Sequence, residues 1–106
     1  MPSNVQKVLK KLKKELLHIY GEKLDSIILY GSRARGDERP DSDIDILIIL
    51  KDDFNYSKML RLSSDLAASL SLENDVVISR AFVSKEQFEQ RQTPFLMNVR
   101  REGIPV

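Results

Sequence analysis

The sequence predicts a single α/β (α+β) domain, spanning residues 1–106, in which helices flank a mixed sheet of three or four strands. Two short runs, residues 26–30 and 44–50, have the β-branched and aromatic composition of buried strands. A third apolar run, residues 76–78, follows a segment with helical spacing. Strand–helix–strand units pair their strands in parallel through a right-handed crossover. The length and the 42% hydrophobic composition indicate one core.

Helices are predicted on both sides of these runs. The N-terminal helix ends at Gly21 and has one buried stripe, while most of its lysines fall on a solvated face. The crossover helix covers residues 56–72. A capping box formed by Ser84 and Gln87 begins a further helix, and Pro94 suits the first turn of a last one. The apolar stripe of the first helix consists of Val5, Val8, Leu9, Leu12, Leu16 and Ile19.

Composition narrows the possible chemistry. The chain has no cysteine and one histidine, His18, which excludes disulfides, thiolate nucleophiles, Cys-ligated metals and histidine clusters. A metal held by this protein would therefore need oxygen ligands, which suit Mg²⁺, Mn²⁺ or Ca²⁺. Seventeen basic and sixteen acidic residues give a net charge of +1, so we expect no direct binding of nucleic acid through overall charge.

Charge and hydropathy also bear on location. No apolar run approaches the length of about 20 residues that spans a bilayer, and the lysine-rich start lacks a following signal-type stretch. We therefore expect a soluble, cytoplasmic protein. Between Asp37 and Asp53 the chain has seven acidic and two basic residues, so this segment should repel phosphate unless cations intervene.

Asp43 and Asp45 stand at the start of the second predicted strand. Side chains alternate along a strand, so both carboxylates project from one face with Cα atoms roughly 6.5 Å apart. Two acids could merely mark the entrance of an exposed edge strand, but residues 46–50 are too apolar for such a strand. The pair is a candidate platform for a divalent cation.

A polar loop, residues 31–36, directly follows the first predicted strand. Its glycines allow backbone amides to approach an anion, Ser32 adds a hydroxyl donor, and an arginine can donate two parallel hydrogen bonds to a phosphate. By itself, Gly31-Ser32 is usually just a turn. If the first two strands are antiparallel neighbours, this loop meets Asp43 and Asp45. Asp75, at the start of the parallel third strand, is expected at the same edge of the sheet.

Together these residues resemble a known pattern. Gly-Ser-Arg-Ala-Arg-Gly at residues 31–36, then Ser-Asp-Ile-Asp-Ile at 42–46, is similar to the motif of the DNA polymerase beta-like nucleotidyltransferase superfamily. The short length further resembles the minimal nucleotidyltransferases, the MNT antitoxins often encoded beside HEPN-domain proteins. The resemblance covers essentially the whole chain and implies the nucleotidyltransferase fold, although the motif is strongest over residues 31–46.

The resemblance also implies a role for each motif residue. Gly31 and Ser32 would hold the terminal phosphates of the nucleotide, Arg35 would contact them, and Ser42 belongs to the same nucleotide-binding set.

The resemblance assigns metal binding to the carboxylates. Asp43 and Asp45 would ligate two Mg²⁺ ions. Asp75 would share the first ion and help to deprotonate the attacking hydroxyl; only its strand context identifies it.

The implied function is Mg²⁺-dependent transfer of AMP from ATP to a hydroxyl of a partner protein. The resemblance suggests a tyrosine of a HEPN-type toxin as the acceptor, with this chain as the antitoxin and with an oligomer as one possible assembly. Two other functions stay open: a non-catalytic module that neutralises its partner by covering it, and a subunit of a two-chain transferase that acts on a small molecule or RNA.

Overall fold

A computed structural model describes residues 3–37, 39 and 42–106. The chain forms a four-stranded sheet in the order β3-β2-β1-β4, with helices on both faces. The strands are β1 (Leu24–Tyr30), β2 (Ile44–Leu50), β3 (Ile78–Ser84) and β4 (Ile104–Pro105). The helices are α1 (Ser3–Tyr20), α2 (Ser32–Arg35), α3 (Tyr56–Leu62), α4 (Ser64–Asn74), α5 (Lys85–Gln90) and α6 (Pro94–Glu102), with a 3₁₀ turn at Gly21–Lys23.

The central strand β2 pairs antiparallel with β1 and parallel with β3, which confirms the predicted mixed sheet. β2 is buried on both faces, because its alternate side chains enter two separate cores. Ile44, Ile46 and Ile48 face the helices α1 and α4, whereas Leu47 and Ile49 face α6. This two-sided burial explains why the strand is almost wholly apolar. Asp45, the exception, lies by parity on the face of Leu47.

The N-terminal helix buries the predicted stripe. Val5, Val8, Leu9, Leu12 and Leu16 are buried in the core, and Ile19 packs against it partly exposed. The capping box at the start of α5 is also confirmed: the side chains of Ser84 and Gln87 each bond to the other residue's backbone N–H. Among the helices of the described residues, none combines the length and the apolar composition needed to cross a membrane.

The predicted single helix over residues 56–72 is instead two helices that break at Ser63. The carbonyl oxygen of Leu60 accepts from the Ser64 hydroxyl at 2.8 Å and from Nη1 of Arg80 at 2.9 Å. Side chains thus take over an acceptor that the backbone N–H of Ser64 would use in a continuous helix. Apolar spacing continues through the break, which is why periodicity does not reveal it.

The third strand begins later than predicted. Residues 76–78 were expected to form it, but β3 covers Ile78–Ser84 and runs in register with the whole of β2. Asp75 ends α4 in the left-handed conformation with φ of 49°, and Val77 is 59% exposed. The strand itself contains Arg80, which hides it from a search for apolar runs.

Candidate active site

The Gly-Ser turn and the aspartate pair meet at one edge of the sheet, as the antiparallel pairing predicts. Tyr30, the last residue of β1, pairs with Asp45 of β2, and Gly31 follows immediately. A Cβ added to Gly31 would overlap Oδ2 of Asp45. Gly31 also has φ of 77° and ψ of −159°, a backbone region that is essentially restricted to glycine. The turn therefore needs glycine for two reasons, and one of them is the carboxylate of Asp45.

The turn continues into the short helix α2. The carbonyl oxygen of Gly31 accepts from the backbone N–H groups of Ala34 and Arg35, each at 3.1 Å. Ser32 is the first residue of this helix and is half-buried. α2 was predicted only as a loop, because four residues are too few to produce a helical hydrophobic pattern.

The charge of Asp45 is destabilised in this site. Its pKa is raised above the ordinary value, first by burial, then by the neighbouring charge of Asp43, while Arg35 acts in the opposite direction. A half-buried carboxylate beside another carboxylate gains from any cation that neutralises both. The electrostatics of the pair thus favour the binding of a divalent cation.

Arg35 lies at this edge, on the last turn of α2. Its guanidinium forms ion pairs with Asp37, where Nε and Oδ2 are 3.3 Å apart, and with Glu102, where Nη1 and Oε2 are 3.6 Å apart. These pairs are substantially exposed, so each contributes little to stability. A phosphate could replace the carboxylates as the partner of Arg35.

Ser42 and Arg33 connect α2 to the aspartate pair. The Ser42 hydroxyl accepts from the backbone N–H of Arg39 at 2.7 Å, so the structure gives this predicted nucleotide-binding side chain a partner within its own loop. The Ser42 carbonyl accepts from Arg33, which is 7% exposed. The sequence did not single out Arg33, because nothing in its pattern separates it from the other arginines of a polar loop.

Asp75 is not grouped with the aspartate pair as a metal site among the described residues, and its predicted part in catalysis stays a prediction. In the chain as described, no group of three or more His, Cys, Asp or Glu side chains could hold a metal ion. Asp75 is exposed at the end of α4, three residues before β3, which begins two residues later than expected. The β3 residue in register with Asp45 is Ser79.

Comparison with known proteins identifies the family. The sequence profile described as Polymerase beta, Nucleotidyltransferase matches residues 6–104, nearly the whole chain. The chain belongs to this nucleotidyltransferase family. The resemblance found in the motif at residues 31–46 is thereby confirmed, and the chain is classed with enzymes.

Relatives of similar length carry more specific names. A Methanocaldococcus jannaschii protein provisionally named protein adenylyltransferase is 39% identical over 94% of this chain and 95% of its own length. Protein adenylyltransferase MntA of Thermococcus cleftensis is 32% identical over 76% of this chain and 79% of its own length. A solved toxin–antitoxin structure with AMP-PNP contains a chain that superposes with a TM-score of 0.59 and 26% identity, covering 92% of this chain and 70% of that one.

Proposed function

We propose that this nucleotidyltransferase moves AMP from ATP, with Mg²⁺, to a hydroxyl of a partner protein and acts as the antitoxin of that partner. The observation that carries the proposal is the contact between the Gly31 turn and the carboxylate of Asp45. It supports a site in which a phosphate-binding loop and a cation ligand lie side by side. The names of the adenylyltransferase relatives and the AMP-PNP complex of the toxin–antitoxin neighbour support adenosine triphosphate as the donor.

The residues present fit Mg²⁺. This cation is commonly held by one or two carboxylates together with the phosphates of the substrate, and Asp43 and Asp45 supply such a pair. Burial of Asp45 and the neighbouring charge of Asp43 raise the pKa of Asp45, so a cation that neutralises this carboxylate is favoured. When bound, Mg²⁺ would stabilise negative charge on the transferring phosphate; a second ion, as the resemblance implies, would share the same carboxylates.

The chain's own residues bind and orient the nucleotide in this proposal. Ser32 and Arg35 donate to the terminal phosphates, and Arg35 exchanges its ion pairs with Asp37 and Glu102 for the phosphate. The close backbone approach at Gly31 leaves room for the carboxylate of Asp45 beside the phosphates. The Ser42 hydroxyl accepts from the backbone N–H of Arg39. In this proposal Ser42 therefore helps nucleotide binding by shaping the loop.

The acceptor is proposed to be a tyrosine of a HEPN-type toxin. This part rests on the resemblance to the MNT antitoxins and on the toxin–antitoxin neighbour. Transfer to a hydroxyl breaks the bond between the α- and β-phosphates, forms an ester to the acceptor oxygen, and releases pyrophosphate and a proton. Asp75 is the residue predicted to help remove that proton; it is exposed at the end of α4, as Asp43 is before β2, and the assay below tests its role.

An in vitro transfer assay tests the function. The chain is incubated with its candidate partner protein and Mg²⁺-ATP, and intact-mass spectrometry is expected to detect AMP on the partner. Asp45→Asn should abolish the product, whereas Asp52→Asn, an exposed acid beyond the far end of β2, should leave it unchanged. Product formation by Asp45→Asn at the wild-type rate would contradict the assignment.

Asp75→Asn belongs in the same assay. Asparagine tolerates the left-handed conformation of this residue, so the fold is expected to persist. The geometry predicts that transfer continues. Loss of transfer with an unchanged melting temperature would instead confirm the predicted catalytic role of Asp75.

A further inference from the structure

Arg33 is a buried cation that the transfer chemistry does not use. Its side chain donates to one backbone acceptor, the carbonyl oxygen of Ser42, with Nε at 3.1 Å and Nη2 at 2.7 Å. No carboxylate forms an ion pair with it among the residues that the structure describes. Burial of an arginine costs free energy unless hydrogen bonds compensate. Among the described residues, the double contact with Ser42 supplies the hydrogen bonding of Arg33, and it restricts the Ser42 carbonyl in return.

The Ser42 carbonyl belongs to the peptide group that leads into Asp43. Because that group is planar, fixing its oxygen also restricts the position of the Asp43 Cα. On the other side of Asp43, the N–H of Ile44 donates to the carbonyl oxygen of Val77 at 2.9 Å. Asp43 itself is exposed and precedes the strand. It is thus held between two backbone anchors.

The two members of the aspartate pair are positioned by different means. Asp45 lies within β2 and is flanked by Tyr30 of β1 and Ser79 of β3, so strand pairing alone fixes it. Asp43 lies outside the paired strands. On its N-terminal side, the chain is held by the hydrogen bonds that Arg33 donates to the Ser42 carbonyl. Two carboxylates that bind one cation must be held at a fixed separation. Because Asp43 is attached less firmly than Asp45, a change in its attachment should weaken cation binding first.

We propose that Arg33 is a positioning residue for the cation-binding carboxylate of Asp43, acting through the carbonyl of Ser42. The inference rests on the proposed function, since it presupposes that the aspartate pair binds Mg²⁺. Arg33 touches neither nucleotide nor cation in this role. Groups that orient a metal ligand typically change metal affinity by about 10- to 100-fold when they are removed.

Calorimetric titration with AMP-PNP, in Mg²⁺ and in EDTA, gives the readout. The ratio of the two affinities measures how much Mg²⁺ strengthens nucleotide binding. Arg33→Met should lower this ratio by about 10- to 100-fold, with little change in the affinity measured in EDTA. Arg33→Lys keeps the charge and much of the apolar stem but presents a single point donor, so its ratio should lie between those of the wild type and Arg33→Met.

Arg80→Met is the matched control. Arg80 also donates to a backbone carbonyl, that of Leu60, but at the end of α3 and not in the segment that leads into Asp43. It should lower the melting temperature and leave the Mg²⁺ ratio unchanged. An equal loss of the ratio in Arg80→Met would mean that general destabilisation is responsible and would overturn the inference.

The remaining outcomes are also decisive. An Arg33→Met variant with the wild-type ratio overturns the inference while leaving the proposed function intact. A wild-type chain whose AMP-PNP affinity does not respond to Mg²⁺ overturns the proposed function instead. If Arg33→Met does not fold, Arg33→Lys decides alone, and a ratio equal to that of the wild type rejects the role.

Discussion

Gly31 and Gly36 flank α2, and both have a positive φ, of 77° and 81°. They differ in what surrounds them. A Cβ at Gly31 would overlap the Asp45 carboxylate, whereas a Cβ at Gly36 would meet no atom within 4 Å. Substitution at either position strains the backbone, but only substitution at Gly31 also displaces a candidate cation ligand.

We predict that Gly31→Ala abolishes binding of Mg²⁺-AMP-PNP, while Gly36→Ala retains it. The backbone cost of Gly31→Ala should be about 1–3 kcal/mol and that of Gly36→Ala about 1–2 kcal/mol. Urea unfolding measures these costs, and calorimetric titration measures binding. Equal nucleotide affinities in the two variants would show that the contact between Gly31 and Asp45 has no role in the site.

Asp45 gives a prediction on pH. Its pKa is raised in the folded chain, chiefly by burial and then by Asp43. Below the ordinary value of 3.8 the carboxyl is neutral in both states and costs nothing; as the pH rises through the folded pKa, its ionisation lowers stability. In Mg²⁺-free buffer, Asp45→Asn should therefore be more stable than the wild type at neutral pH, with a gain that disappears below about pH 4.

Unfolding curves over this pH range, with and without Mg²⁺, make the measurement. Mg²⁺ should stabilise the wild type and leave Asp45→Asn unchanged. Asp52→Asn, outside the site, serves as the control. A wild-type chain that Mg²⁺ does not stabilise would count against a cation at this pair.

For single residues, the sequence pointed to candidate site residues that stand in a distinctive pattern and did not point to those that lack one. Gly31, Asp43 and Asp45 stand out because glycine and spaced acids at strand ends are unusual and point to specific chemistry. Arg33 is not distinguishable from Arg35 by residue type, and only the fold shows that one is buried and the other exposed. The role of Asp75 stays a prediction, because it depends on the exact start of a strand, which the hydrophobic pattern does not give.

The break between α3 and α4 is stabilised by a polar group inside the core. The Tyr20 hydroxyl donates to the carbonyl oxygen of Met59 at 2.6 Å and lies 2.9 Å from Oγ of Ser63, to which Arg80 donates at 2.6 Å. Tyr20 and Ser63 are both buried. The network thus ties α1 and β3 to the break.

We predict that Tyr20→Phe lowers the free energy of unfolding by about 1–3 kcal/mol at neutral pH, because buried polar partners lose their hydrogen bond. Burial raises the Tyr20 pKa above 10.0, more than the Ser63 hydrogen bond and Arg80 lower it. The wild-type advantage should therefore be complete below pH 10 and decline as the pH rises through the folded pKa. Urea unfolding from neutral to alkaline pH measures this difference.

Tyr56→Phe is the matched control. Tyr56 packs against the same ring, Phe82, but is 47% exposed. Its substitution should change stability little. A cost at Tyr56 as large as that at Tyr20 would mean that the effect comes from ring packing and not from the buried hydroxyl.

Element boundaries illustrate what a hydrophobic pattern can and cannot show. β2 was predicted to the residue because both of its faces are buried and nearly every position is apolar. β3 was predicted too early, since its polar positions Ser79 and Arg80 interrupt the pattern. Side-chain hydrogen bonds to backbone, such as those at Leu60, leave the apolar spacing intact and cannot be read from it.

In the whole molecule, the Gly-Ser turn and the aspartate pair lie at one edge of the sheet. The directions of the strands bring them there. The parallel neighbour after β2 follows from connection length, because the connection to β3 contains two helices. The connection from β1 contains only the short helix α2 and permits either orientation. The sequence therefore predicted the meeting of the Gly-Ser turn and the aspartate pair on the condition that β1 and β2 are antiparallel neighbours, and the structure meets that condition. It could not predict which partner approaches this edge, because that depends on a surface of another protein.

An enzyme and a shield differ in stoichiometry, and this difference separates the two antitoxin roles. A transferase releases its modified partner and can act again, so a small amount of this chain should inactivate a large molar excess of partner in Mg²⁺-ATP. A shield neutralises no more partner molecules than it has binding sites. We predict complete inactivation under excess partner, dependent on ATP and lost in Asp45→Asn even though that variant still co-purifies with the partner. The measurement is partner activity against the molar ratio of the two proteins, with α,β-methylene-ATP in place of ATP as the control, because its bond between the α- and β-phosphates cannot be broken by the transfer. Inactivation that stops at the ratio of binding sites and is the same with ATP, with α,β-methylene-ATP and in Asp45→Asn would identify the chain as a shield.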